Sequence, residues 1–294
     1  RGGLGAGSQG GRGVAFFDVN TTANELVAEI AFPGGADPVF TPDLSRVYAG
    51  GVGSVYVIDA TALRIADADP STPAVDPIPL PGAAFVRQMT TDPHGHFIFA
   101  VGMAPEVWVI DARPGSTTFN KVLLSLPLPR GRAPLSGIAV TADGKRLLVG
   151  TGTSDDDGHL TVFQLDPDQE PSEEDLDPGV WGHLEFDQAL GAIPEAVVTA
   201  ANEDDSQYAA LTYRYRVSTL APWQTTYDFP KKLHTFSTVT FTDSGPVIKD
   251  VRTQIKGGNL SPFFTNYYNG YYTNILTPRD IALAPDLSYA YIGD

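Results

Sequence analysis

One turn recurs along this chain, and its spacing restricts the fold more than any other feature. Thr41-Pro42-Asp43-Leu44-Ser45 separates two apolar stretches, and Arg46-Val47-Tyr48 opens the second. The pattern returns at Thr91–Phe97, at Thr141–Leu147 and at Ala284–Ala290, with a blurred copy at Ala200–Tyr208. Thr41, Thr91 and Thr141 stand 50 residues apart. Turn residues placed where hydrophobic alternation stops give a strand–turn–strand signal. A strand ending in aspartate recurs as well, at Val14–Asp18, Val55–Asp59, Val107–Asp111 and Val162–Asp166. A period of about 40–50 residues with about four strands per unit is the signature of a β-propeller. A lone four-stranded unit cannot bury both of its faces, so neighbouring units must stack.

The turn T-P-D-x-x-R-V-Y at Thr41–Tyr48 resembles the YVTN-type β-propeller repeat family. So does V-x-V-I-D at Val55–Asp59 and Val107–Asp111, each copy following a turn. The resemblance covers nearly the whole chain and is loose over 200–280. It implies an all-β propeller of four-stranded blades. Related propellers include lactonases, lyases, cytochrome-linked enzymes and surface proteins, so the resemblance does not by itself imply one activity. The lactonases keep their polar residues in the central channel, contributed by several blades. No motif in this sequence matches them residue by residue.

Five blades are countable. First-and-second-strand pairs lie near 38, 87, 136, 195 and 279, and third-and-fourth-strand pairs near 14, 55, 107, 160 and 236. Three full blades span 36–82, 85–129 and 134–190, with outer strands at Val75–Leu80, Lys121–Leu126 and His183–Phe186. Arg1–Arg12 reads as a flexible Gly-rich loop. Its formal GxGxxG lacks the preceding strand and following helix of a dinucleotide site. The chain begins with a third-and-fourth-strand pair and ends with a first-and-second-strand pair. Either Thr277–Gly293 joins Val14–Phe32 in one composite blade, or the chain is a fragment of a seven-bladed propeller. Closure predicts hydrogen bonds between Ala290–Ile292 and Ala15–Phe17.

Composition narrows the function. The 294 residues include no cysteine, which removes disulfide and thiolate chemistry. No apolar run reaches the roughly 18 residues of a membrane-spanning helix. The net charge is −16, and the excess is local. Between Arg146 and Arg214 there are 16 acidic residues and no Lys or Arg. Nucleic acid is excluded as a partner class, because phosphate affinity needs clustered cations. An extracellular, cell-surface or periplasmic setting is expected.

The enlarged blade Ala192–Ile255 carries an insertion at Ser218–His234 with Trp223, Tyr227 and Phe229. A second insertion, Lys256–Pro278, carries Phe263, Phe264, Tyr267, Tyr268, Tyr271 and Tyr272. Eight of the 12 tyrosines lie between positions 208 and 272. In an up-and-down blade the second-to-third-strand loop and the loop leaving the fourth strand share a face. Both insertions therefore fall together, with the loop Ser154–Gly158 on the same face one blade earlier. Aromatic area with polar handles suits a protein or glycan partner. Asp155, Asp156 and Asp157 are candidate Ca²⁺ ligands, although the distal Glu of a dedicated loop is missing. His94-Gly95-His96 has two-ligand spacing but sits in a turn with no third ligand nearby. Asp166–Gly182 is dense in Pro, Glu and Asp and reads as a mobile loop rather than a packed element.

No G-x-S-x-G, HExxH or P-loop is present. Two readings follow. The first is a non-catalytic propeller module that binds a protein or glycan through the aromatic loop face. The second is a lactonase-type hydrolase or lyase acting on a small substrate in the channel.

Overall fold

The computed structural model describes residues 4–8, 12–18, 25–71, 73–82, 85–131, 133–152, 157–166, 181–190, 193–217, 231–252, 280–288 and 290–293. Nearly all of the regular structure is β. The chain forms β1 (Leu4–Ser8), β2 (Gly13–Asp18) and β3 (Glu25–Ala31) as one sheet in that order. The next sheet contains β4 (Gly34–Phe40), β5 (Arg46–Gly51), β6 (Ser54–Asp59) and β7 (Arg64–Ala66), with β8 (Ile78–Pro79) also pairing with β6. Three four-stranded sheets follow. They are β9 (Val86–Thr91) to β12 (Val122–Pro127), β13 (Ala133–Val140) to β16 (Gly182–Ala189), and β17 (Ile193–Thr199) to β20 (Gly245–Arg252). β21 (Asp280–Leu283) and β22 (Ala290–Gly293) form a two-stranded sheet. This is the architecture of an all-β propeller, built from consecutive antiparallel sheets.

The chain divides into two compact units. The first comprises Arg1–Pro134, Gly144–Leu147 and Phe163–His183, and the second Leu135–Asp143, Leu148–Val162 and Leu184–Asp294. Within the first unit, alternate residues of one strand feed two different cores. On β5, Tyr48 packs with Val86, Met89, Ile98 and Trp108 of the following sheet. Its neighbours Val47 and Ala49 pack with Val14, Phe16 and Ile30 of the preceding one. The period-2 alternation of a strand thus becomes stacking of sheets face to face. Strands covered on both faces lose polar alternation. β10, Phe97–Gly102, is buried at every position. The outer strand β3 has one buried residue, Ile30. Within the second unit, Leu148, Leu160 and Val162 meet Val197, Leu211 and Phe241, and Ala196 and Ala210 meet Ile281.

Close approach between sheets fixes individual residues. Gly137 of β13 has φ +85°, and a Cβ there would stand 2.8 Å from the Val197 backbone nitrogen of β17. A side chain at this position would carry both left-handed strain and a backbone clash.

Several sequence expectations need correction. Part of the presumed flexible loop, Leu4–Ser8, is a strand paired with β2 in register, Ala6 opposite Phe16. β2 therefore has both edges filled, by β1 and β3. The expected bonds from Ala290–Ile292 to Ala15–Phe17 are not made, because a strand has only two edges. β22 pairs with β21 instead. Residues 231–234, assigned to an insertion, continue β19 (Lys231–Thr242), with Val217 of β18 (Tyr208–Val217) opposite Lys231. The outer-strand expectation at Val75–Leu80 shrinks to Ile78–Pro79, and Arg64–Ala66 supplies a further strand beside β6. Trp181, assigned to a mobile loop, is buried and stacks on Phe99 at 6.1 Å between ring centroids.

Gly137→Ala is expected to lower unfolding free energy by at least about 2 kcal/mol while leaving the far-ultraviolet spectrum of the folded chain unchanged. Urea denaturation followed by tryptophan fluorescence reads this directly, and a smaller change would show that β13 and β17 can part locally.

Candidate functional site

The recurring turn accounts for Asp43, Asp143 and Asp286. In Thr41–Ser45, the Thr41 hydroxyl donates to Asp43 at 2.6 Å, and the Ser45 amide donates to the same oxygen at 3.0 Å. The Arg46 amide donates back to Thr41 Oγ1 at 3.1 Å. The Thr41 hydroxyl, followed by the Ser45 amide, holds the Asp43 carboxyl below the usual carboxylate range. Thr141 and Asp143 repeat the contact at 2.6 Å, and Asp286 accepts from the Ser288 amide and hydroxyl. These aspartates close backbone turns and are not poised for chemistry.

Asp111, at the end of β11 (Glu106–Asp111), is the extreme case. Its side chain is fully buried and accepts from the Arg113 amide, Nε and Nη2 and from the Ser116 and Thr118 hydroxyls. Burial pushes its pKa up, but Arg113 and the two hydroxyls outweigh this and hold it below the ordinary 3.8. Its role is to tie the loop 112–121 to β11.

A second polar group lies in the second unit. His159 of β15 (Gly158–Leu165) is 8% exposed. Its Nε2 is 3.4 Å from Asp157 Oδ1 and its Nδ1 is 3.1 Å from Asp187 Oδ1. The Nδ1 contact is close but fails hydrogen-bond geometry, so it is not a directed bond. Asp187 also accepts from Thr161, whose hydroxyl meets that of Thr151 at 3.1 Å. An imidazole between two carboxylates can exchange a proton with either. Here, however, it is largely shielded from solvent.

The loop ends behave as strand alternation requires. The Leu80 amide donates to Gly53 O, and the Leu128 amide to Pro105 O. In both sheets the second-to-third-strand turn therefore lies beside the connection leaving the fourth strand. In the second unit the Leu190 amide donates to Gly158 O in the same way. These turns expose apolar side chains. Val52 and Met103 are each 60% exposed, and Phe85 is 37% exposed. A Cβ on Gly102 would stand 2.3 Å from Phe85 O, which places the Phe85 backbone against the start of the Met103 turn.

Of the residues expected to bind, Trp223, Tyr227, Phe229, Phe263, Phe264, Tyr267, Tyr268, Tyr271 and Tyr272 lie outside the described residues, as do Asp155 and Asp156. Asp157 is described and faces His159. Among the described residues no group of three or more His, Asp or Glu side chains has metal-binding geometry. Sequence reasoning missed Val52, Phe85 and Met103, which look like ordinary turn neighbours until their exposure is known. It also missed Asp187, whose place opposite Thr161 depends on the register of β16. The shared parity of His159 and Thr161 was the one signal available.

Asp111→Asn is expected to cost about 3 kcal/mol, because it removes a buried charge partner of Arg113. A carboxyl whose folded pKa is depressed stabilises the fold fully above its unfolded pKa, and that stability drains as pH falls through the lower folded value. The parent chain should therefore lose melting temperature as pH drops below about 3.8, and Asp111→Asn should lose less over the same interval. Parallel slopes for the two proteins would remove Asp111 from the acid response.

No family model matches the chain, and no curated protein matches it. Among solved structures, Kuenenia stuttgartiensis hydrazine synthase is similar at 17% identity and a TM-score of 0.66, over 97% of this chain and 68% of that one. A candidate 6-phosphogluconolactonase from Bacteroides uniformis is similar at 15% identity and a TM-score of 0.50, over 86% of this chain and 67% of that one. At such identities the likeness concerns the fold, and it agrees with the sheet topology: the chain is an all-β protein of the propeller type.

Proposed function

We propose that this chain is a β-propeller of the YVTN-repeat kind that acts as a binding module, recognising a protein or glycan outside the cytoplasm. The observation that carries the reading is the pairing of second-to-third-strand turns with fourth-strand connections, which present Val52, Phe85 and Met103 to solvent. The aromatic segments at 218–230 and 256–278 follow the same two kinds of position in the chain. Exposed apolar and aromatic side chains on loops held by a stiff scaffold are the usual means of recognition. The local acidity of 147–213 favours partners that are neutral or basic.

The test is an array of immobilised plant, animal and bacterial glycans and of cell-surface proteins, probed with the intact chain. Saturable binding should weaken at least tenfold in Trp223→Ala/Tyr227→Ala and in Tyr267→Ala/Tyr268→Ala, with melting temperatures unchanged. Binding that ignores all four substitutions would overturn the reading.

A lactonase-type hydrolase is the second reading, supported by His159 between Asp157 and Asp187 and by the fold likeness to a candidate 6-phosphogluconolactonase. In it His159 would take the proton of a water attacking the lactone carbonyl. The shielding of His159 and the acidity around it weigh against a phosphorylated substrate. Hydrolysis of glucono-lactone and 6-phosphogluconolactone above the buffer rate, lost in His159→Gln, would establish it. Rates equal to buffer would remove it.

A further inference from the structure

In the turn between β9 and β10 the residues that do the capping have changed places. In the other copies the residue before the left-handed position is Asp43, Asp143 or Asp286, and the left-handed position itself is Leu44, Gly144 or Leu287. Here the left-handed residue is Gly95 and the residue before it is His94. The capping carboxylate has moved to Asp92, where the other copies carry Thr41, Thr141 and Ala284. Asp92 Oδ1 accepts the Phe97 amide at 2.6 Å, as Thr41 Oγ1 accepts that of Arg46. Asp92 Oδ2 accepts the His94 amide at 3.0 Å. The turn is thus closed without the His94 side chain.

That side chain is exposed, and so is His96 beside it. Their ring centroids are 5.7 Å apart and their planes differ by 38°. Among the described residues neither imidazole has a hydrogen-bond or ion-pair partner. The backbone beneath them is held firmly. A Cβ on Gly95 would stand 2.5 Å from Pro42 Cδ, and the His96 carbonyl accepts the Ala112 amide at 2.8 Å. His96 also packs edge-on against Phe97, itself set against Trp181 at 5.1 Å between centroids. Both rings and Asp92 line one cleft floored by Phe97, Phe99 and Trp181.

We propose that His94 and His96 form a two-nitrogen chelate for a divalent ion of the copper–nickel–zinc group, with water completing the coordination. Imidazole nitrogen suits these ions, and the ordinary affinity order places Cu²⁺ first. A metal–nitrogen bond of about 2.0–2.1 Å puts each ring centroid roughly 3.2 Å from the ion, so two adjacent ligands have centroids about 4.5–5.2 Å apart. The observed 5.7 Å needs only small side-chain rotations of two exposed rings on a fixed turn. Both oxygens of Asp92 are occupied by backbone amides, so it contributes field rather than a ligand.

The experiment is calorimetric titration of the intact chain, purified without a polyhistidine tag, with Cu²⁺ and separately with Zn²⁺. One equivalent of Cu²⁺ should bind more tightly than Zn²⁺, and its electron paramagnetic resonance spectrum should show two equatorial nitrogens. His94→Gln and His96→Gln should each weaken binding at least tenfold, and His183→Gln should leave it unchanged. Melting temperatures of all four proteins without metal verify folding. No stoichiometric binding, binding that survives both turn substitutions, or loss of binding in His183→Gln alone would each overturn the proposal.

Discussion

The middle sheets of this protein depend on having both faces covered. A four-stranded antiparallel sheet whose central strand is buried at each position, as β10 is, has no face it can leave to water. Neighbouring sheets supply the cover, and alternate side chains of one strand serve two cores: Tyr48 on one side, Val47 and Ala49 on the other. A substitution in a middle strand therefore disturbs two interfaces, according to parity. Close packing of inner strands adds a second demand, met at Gly137 by the absence of any side chain.

That demand makes the repeat legible in sequence. Thr41-Pro42-Asp43 and its copies are spaced by the size of a blade, and the hydrogen bonds of Asp43 and Asp143 show why those residue types recur. Blade boundaries from 36 to 190 could be placed within a few residues for this reason. Leu4–Ser8 could not, because LGAGS carries no alternation and becomes a strand only through its partner β2. Trp181 was hidden by its acidic neighbours in the sequence, since its burial depends on Phe97 and Phe99, far away in the chain. Within the candidate site, aromatic density was visible and exposure was not. Val52 and Met103 look like many other turn-flanking residues until the connection beside each turn is placed.

The carboxylates divide the chemistry from the architecture. A glance at composition suggests a surplus of acids available for catalysis or cation binding. The turn aspartates and Asp111 are instead committed to hydroxyl and amide donors, and these donors hold Asp43 and Asp111 below the ordinary carboxylate range. His159 differs because both ring nitrogens face carboxylates while its surroundings shield it. The exposed loop residues and the shielded His159 therefore make different demands on a ligand. The first can meet a large partner without rearrangement, and the second needs a route inward.

The exchange of roles between Asp92 and His94 bears on how such a chain can change. A fold assembled from near-copies is redundant, in that the same turn can be closed from two alternative positions. When one copy closes from the other position, the vacated residue is released from structural selection while the remaining copies keep the scaffold intact. New surface chemistry can then arise one repeat at a time, with no intermediate that must forgo folding.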